Sequence, residues 1–188
     1  MKTRCSWVNN DPQMISYHDR EWGVSVHDDR ELFEFLILEG AQAGLRWSTI
    51  LAKRENYREA FDHFMPEKVA GYSNSKLEEL KNDPGIVRNR LKIRSAVINA
   101  NAILDIKNEF GNFDSYIWKF VRGKPIQNHW EKIEEIPVKT PESENMSHDL
   151  KKRGFKFVGP IICYSFMQAV GMVNDHTIDC FRYTELMD

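Results

Sequence analysis

The chain has 188 residues, 41% of them hydrophobic, and 26 Lys and Arg against 28 Asp and Glu give a formal net charge of −2. That length and apolar content suit one domain with a sizeable core, or two small lobes sharing an interface, and exclude a disordered chain. No apolar run approaches the length of a membrane span, and Met1-Lys2-Thr3-Arg4 leads into polar and aromatic residues, so neither a transmembrane helix nor a secretion signal is expected and the expected location is cytoplasmic.

The elements follow in chain order. Asp11-Pro12 is an N-cap and first-turn pair that opens a short helix through Met14, Ile15 and His18, ending near Gly23. Asp28 or Asp29 caps the next, where Leu32, Phe33, Phe35, Leu36, Ile37 and Leu38 are so nearly continuous that the helix is expected to be buried on most sides. Ser48 is placed as the cap of a third helix reaching Phe64, with Ile50, Leu51, Tyr57 and Phe61 inward. Pro66 and Ser75 each start a short piece. After the turn Asn82-Asp83-Pro84-Gly85, a long helix is predicted from Ile86 to Phe110, stopped by Gly111. Asp114 is placed as the cap of Tyr116 to Val121, and Arg122 to Lys139 reads as a long surface connection. Thr140-Pro141 restarts helix up to Arg153, and Pro160 opens the last long helix, Ile161 to Val170. No strand alternation competes, so the fold class is all-α.

Charge is locally uneven. Arg88, Arg90, Lys92 and Arg94 fall together, as do Lys151, Lys152, Arg153 and Lys156, while acid concentrates between Glu131 and Glu144. Taken alone, each run reads as a solvated helix face, and the overall charge does not favour a protein that coats phosphates.

The segment from about 150 to 170 places two helices around a tight turn, Phe155 to Gly159, that ends at a helix N-terminus. Backbone N–H groups there point outward, Gly159 allows close approach, and the helix dipole favours an anion. Lys156, Lys152 and Arg153 add positive charge, and Val158-Gly159-Pro160 resembles the helix-hairpin-helix turn with which DNA-repair glycosylases grip a DNA backbone. An ordinary helical hairpin is the alternative. Such a hairpin reads no sequence, which suits an enzyme that surveys any DNA.

The three cysteines, Cys5, Cys163 and Cys180, are an odd count spread over the whole chain, against a secreted disulfide framework. His176 and Cys180 have the spacing of two ligands on one helical turn. Cys5 and His18 complete a Cys2His2 tetrahedron if the fold brings the two ends together. A closed site of four protein ligands is structural, because no position is left for water. Cys163, in an apolar run, reads as core.

Across nearly its whole length the chain resembles the 3-methyladenine DNA glycosylase I family of the helix-hairpin-helix superfamily. The resemblance is carried by Cys5-x-Trp7-Val8, Asp11-Pro12, Tyr17-His18-Asp19-x-Glu21-Trp22-Gly23, Leu38-Glu39-Gly40-x-Gln42-Ala43-Gly44-Leu45-x-Trp47, Lys53-Arg54-Glu55-Asn56-Tyr57, Gly85-Ile86-x-Arg88-Asn89-Arg90-x-Lys92-Ile93, Lys152 to Gly159, Ile162-Cys163-Tyr164-Ser165-Phe166-Met167-Gln168-Ala169 and Val173-Asn174-Asp175-His176. It implies a single domain over residues 1–188, two helical lobes with the base pocket between them being one form of it. It also implies excision of N3-methyladenine from alkylated double-stranded DNA, a monomer located at the nucleoid, and a structural zinc on Cys5, His18, His176 and Cys180. The family's base pocket falls on Tyr17, Trp47 and Glu39, with Trp7 and Trp22 as neighbouring walls. Trp118 and Trp130 match no motif and are read as core.

N3-methyladenine is cationic and already a good leaving group, so recognition is the harder task, and aromatic faces suit a cation. Helical spacing puts Glu39 beside Leu32, Phe35 and Leu36, where an unpaired carboxylate is costly. Pairing with an Arg such as Arg46 is the structural alternative. With the resemblance, Glu39 is the expected catalytic and recognition carboxylate, accepting from the exocyclic amine or ring edge of the base and offsetting its charge. The turn offers no Lys at Pro160-Ile161, and Asp175 lies closer to the hairpin than the superfamily's catalytic Asp, so a monofunctional hydrolysis is expected. Competing readings are a glycosylase for 3-methylguanine or 7-methylguanine and a non-catalytic binder of damaged DNA.

Overall fold

Helices carry most of the chain in the computed structural model, which describes residues 2–187. α1 (Pro12–Arg20) starts as expected, the Asp11 side chain accepting from the Gln13 N–H with proline in the first turn. α2 (Asp29–Gln42) is capped by Asp28, whose carboxylate accepts from the Arg30 and Glu31 N–H groups. Every residue of α2 from Leu32 to Ala41 is buried, and the helices Trp47–Leu51, Arg90–Phe110, Phe113–Trp118 and Pro160–Ala169 all pack on it.

The third predicted helix is divided. α3 (Trp47–Leu51) and α4 (Arg54–Ala60) are separate, followed by a tight 3-10 turn over Asp62–Phe64, and Ser48 caps nothing because Arg46 holds the N-cap position. The break points Arg54 inward, where it meets Glu34 and Glu21. α5 (Pro66–Val69) is as expected, whereas α6 (Asn74–Asn82) is capped by Ser73 rather than started at Ser75. α7 (Arg90–Phe110) begins at the cap Asn89, four residues later than expected. Upstream, the Val87 N–H donates to the Tyr57 hydroxyl, a tertiary bond that holds this stretch out of the helix. α8 (Phe113–Trp118) is capped by Asn112, and the Asp114 carboxylate instead meets His27.

The connection after α8 is not wholly irregular. β1 (Ile126–Gln127) pairs in parallel with β2 (Val173–Asn174), and Trp130 bridges to Thr177. Two-residue strands are too short to show alternation, so the otherwise correct all-α reading missed them. Trp118 is buried as expected, donating to the Val26 carbonyl. Trp130 is not core: it is half-buried and donates to Asp175.

α9 (Pro141–Lys152) opens on a reciprocal Thr140–Ser143 cap, and α10 (Pro160–Ala169) packs on both α9 and α2. α11 (Phe181–Glu185) closes the fold. The ends meet because the segment after α1 is tied to the end of α10: the Gly23 N–H donates to the Gln168 carbonyl and the Val26 N–H to that of Val170. Gly171 makes this crossing possible. Its φ is +72°, and a Cβ there would lie 2.4 Å from the Val24 carbonyl carbon. The Phe181 N–H donates to the Thr3 carbonyl and completes the junction.

Candidate active site and metal centre

The junction of the two ends assembles Cys5, His18, His176 and Cys180, all buried, with their ligand atoms within 4.8 Å of one another. Cys5 Sγ lies 3.5 Å from His176 Nδ1, and Cys180 Sγ lies 3.4 Å from both His18 Nε2 and His176 Nδ1. Zinc–sulfur and zinc–nitrogen bonds of about 2.3 and 2.0 Å at a tetrahedral angle require a sulfur–nitrogen separation of about 3.5 Å. The donor set therefore fits a four-coordinate ion. The other ring nitrogens are also engaged: His18 Nδ1 lies 2.8 Å from Asp19 Oδ1, and His176 Nε2 lies 3.1 Å from the Trp22 carbonyl oxygen. Arg4 in turn holds Asp19, and the guanidinium keeps that carboxyl down at about 2. Such outer partners orient metal-binding imidazoles. The 176–180 spacing belongs to a turn and not to a helix, since Cys180 is the N-cap of α11. The turn works because the Cys180 N–H returns to the Thr177 carbonyl.

Beside this cluster, a cavity of about 350 Å³ opens among α1, α2, α3, α10 and the loop at 133–137. All five predicted pocket residues line it: Trp7, Tyr17, Trp22, Glu39 and Trp47. The Tyr17 and Trp47 rings are 5.2 Å apart, tilted by 46°. Trp22 packs edge-on against both Trp7 and His176, so the Cys/His cluster buttresses one wall. The cavity is also lined by Met14, Gln42, Ser165 and Gln168, and by Ile133, Ile136 and Pro137 from the loop, none of which the sequence reading assigned to the pocket. Helical spacing was a usable signal for some of them, because Gln42 follows Glu39 by three positions, as Tyr17 follows Met14 and Gln168 follows Ser165. The loop residues carried no such signal.

Glu39 is 4% exposed and has no hydrogen-bond partner among the described residues. Arg46 does not pair with it. The arginines that reach α2, Arg54 and Arg58, both bind Glu34 instead. Burial pushes the Glu39 carboxyl up to about 8. The Tyr17 phenol is raised well above its ordinary value by burial and by the nearby Glu39 charge. Trp47 Nε1 is buried and likewise lacks a partner. The cavity thus holds a carboxyl without a protein partner and a buried, unpaired indole donor, Trp47 Nε1.

The hairpin forms as expected between α9 and α10. Asn99 on α7 braces the turn twice, its Oδ1 accepting from the Lys156 N–H at 2.8 Å and its Nδ2 donating to the Lys156 carbonyl at 3.0 Å. Ser147 donates to the Val158 carbonyl. Gly159 is the N-cap of α10, and a Cβ there would meet nothing within 4 Å, so its outer side is open. Lys152 and Lys156 are exposed. Arg153 is engaged with Glu109 at 2.7 and 3.1 Å and rests on Phe110 and Tyr116, and Val158 is buried. Arg94 and Lys156 share one groove, which brings the two basic runs together. Lys92 points inward, donating to the Ala41 and Ala43 carbonyls at the end of α2. Cys163 is core, as read.

The model of the methyladenine glycosylase family matches residues 7–183. DNA-3-methyladenine glycosylase 1 of Escherichia coli (strain K12) is 49% identical over 96% of this chain and 96% of its own, and the Haemophilus influenzae DNA-3-methyladenine glycosylase is 46% identical over 96% and 97%. A solved structure of 3-methyladenine DNA glycosylase I from Staphylococcus aureus, concerned with 3-methyladenine recognition, superimposes with a TM-score of 0.92 at 38% identity, covering 95% of each chain. The chain belongs to the methyladenine glycosylase family.

Proposed function

We propose that this protein initiates base-excision repair by releasing N3-methyladenine from alkylated double-stranded DNA. The observation that carries the proposal is the unpaired, buried carboxyl of Glu39 in a cavity walled by Tyr17, Trp47, Trp7 and Trp22. A cationic base extruded from the duplex finds aromatic faces and one anionic acceptor there, an arrangement that discriminates against neutral purines. Its charge returns Glu39 to the ionised form. The glycosidic electron pair then departs with the base, neutralising its ring, and water adds to the sugar carbon and loses a proton. No Lys lines the cavity, so hydrolysis rather than Schiff-base chemistry follows.

The chain acts as a single domain and as a monomer on DNA, at the bacterial nucleoid in the cytoplasm. The α9–α10 hairpin serves as a helix-hairpin-helix element, the backbone N–H groups at Gly159 and the start of α10 taking a phosphate while Lys156, Lys152 and Arg94 add charge. No helix of the described residues is long and apolar enough to cross a membrane. Zinc, held by Cys5, His18, His176 and Cys180, supplies a cross-link between the ends and no reaction chemistry. Base release from methylated duplex DNA tests the reading: Glu39→Gln is expected to slow N3-methyladenine release at least tenfold, and equal rates would overturn the role of the charge. Borohydride is expected to trap no covalent DNA complex.

A further inference from the structure

Asp175 is the first carboxylate in the chain after the hairpin's second helix, yet it does not line the cavity. It is 1% exposed and every side of it is used. Oδ1 accepts from Asn128 Nδ2 at 2.7 Å and Trp130 Nε1 at 2.8 Å, while Oδ2 accepts from the Tyr164 hydroxyl at 2.7 Å and Gln168 Nε2 at 2.8 Å. Of these four donors, only Gln168 is also a wall of the cavity. A carboxylate accepts and cannot donate, so the Gln168 amide must turn its nitrogen toward Asp175. Its Oε1 is then the amide atom left over. The backbone is pinned too, because the Gln168 carbonyl accepts from the Gly23 N–H at 3.1 Å.

We infer that Asp175 is a positioning residue and Gln168 a specificity residue: Asp175 locks the amide so that Gln168 offers the cavity an acceptor, selecting a purine edge that carries an amino group over one that carries a carbonyl. Glu39 answers the charge of the base, which alkylated adenine and guanine share. Gln168 answers the exocyclic group, in which they differ. A site built around a hydrogen bond rejects the analogue that leaves it unmade far better than an apolar wall rejects a shape.

This inference rests on the reading of the cavity as a base site, and dissociation constants for free 3-methyladenine and 3-methylguanine separate the two. The wild-type protein is expected to prefer 3-methyladenine. In D175N, Oδ1 keeps Asn128 and Trp130, so the new amide nitrogen faces Gln168 and forces it to flip. The preference is expected to fall at least tenfold, through weaker 3-methyladenine binding with 3-methylguanine unchanged or tighter. D175N/Q168E returns an acceptor to the cavity and is expected to restore the preference. Q168M removes the amide and leaves Asp175 intact, so it is expected to lose the preference even where D175N folds poorly. A preference that survives in both D175N and Q168M overturns the inference alone, as does a uniform loss for both bases without rescue. A wild-type protein that binds neither base overturns the base-site reading and the inference with it.

Discussion

Glu34 takes the guanidinium of Arg54, with Nε 2.5 Å from Oε1, in a part of α2 where both side chains are more than nine-tenths buried. Glu39 lies further along the same helix and takes none. One helix therefore buries two carboxylates in opposite states, one neutralised by arginine and one without a protein partner.

Removing the first partner is expected to be costly. Arg54→Met leaves Glu34 with Arg58 alone and Glu21 with no guanidinium, and breaking a buried pair from one side costs about 3–5 kcal/mol. Urea unfolding of the variant should show a midpoint shift of that size with little change in slope. A loss below about 1 kcal/mol would mean that Arg58 suffices.

Glu39 should show the reverse behaviour, with a pH dependence of fixed sign. Its folded carboxyl is raised from 4.5 to about 8, so over that range the native state holds a proton that the unfolded chain has released. Stability contributed by this group is present below about pH 4.5 and is lost as pH rises through about 8. Glu39→Gln has no such loss. Its melting temperature should pull ahead of the wild type progressively from about pH 4.5 to 8 and run parallel above, each 1 kcal/mol being worth about 2–4 °C. A gap independent of pH would contradict the burial argument.

Elemental analysis of protein prepared without chelator is expected to find one zinc per chain. Cys180→Ser removes one of four buried ligands and should abolish stoichiometric zinc and lower the melting temperature, because binding energy at a closed site is folding energy. Full metal content in that variant would move the site elsewhere.

The outward charges should act on DNA without regard to sequence. Lys156→Gln and Arg94→Gln are each expected to weaken duplex binding uniformly and to reduce the salt dependence by about one unit of slope. Arg153→Gln should leave the slope unchanged and cost stability instead, since Glu109 already holds that guanidinium. Salt titrations of binding to an undamaged duplex distinguish the two classes.

Much was legible in advance where chemistry is local. Asp11, Thr140 and Pro160 start helices where expected, and Asp28 is the one of the two offered caps that the structure uses, all by side-chain or ring geometry that needs only a few neighbouring residues. The starts of α3, α6, α7 and α8 were misplaced. The clearest case is α7, whose expected first turn is held out of the helix by the Tyr57 hydroxyl, thirty residues away in sequence. The aromatic wall and Glu39 were legible through their motifs. The role of Gln168, the loop at 133–137 and the lack of a partner for Glu39 were not.

The sequence by itself determined that the chain is nearly all helical and where several helices start, and its motifs, through the family resemblance, picked out the side chains for a metal and for a cationic base. The helical pattern follows from periodicity and capping, which are properties of short segments. Tertiary structure alone decided which of two buried carboxylates would stay unpaired and which basic residues would be spent internally. It also decided how an acceptor-only Asp175 would orient Gln168. Such outcomes depend on distances between segments far apart in the chain, where a partner 3 Å away and one 10 Å away differ by the whole energy of a hydrogen bond.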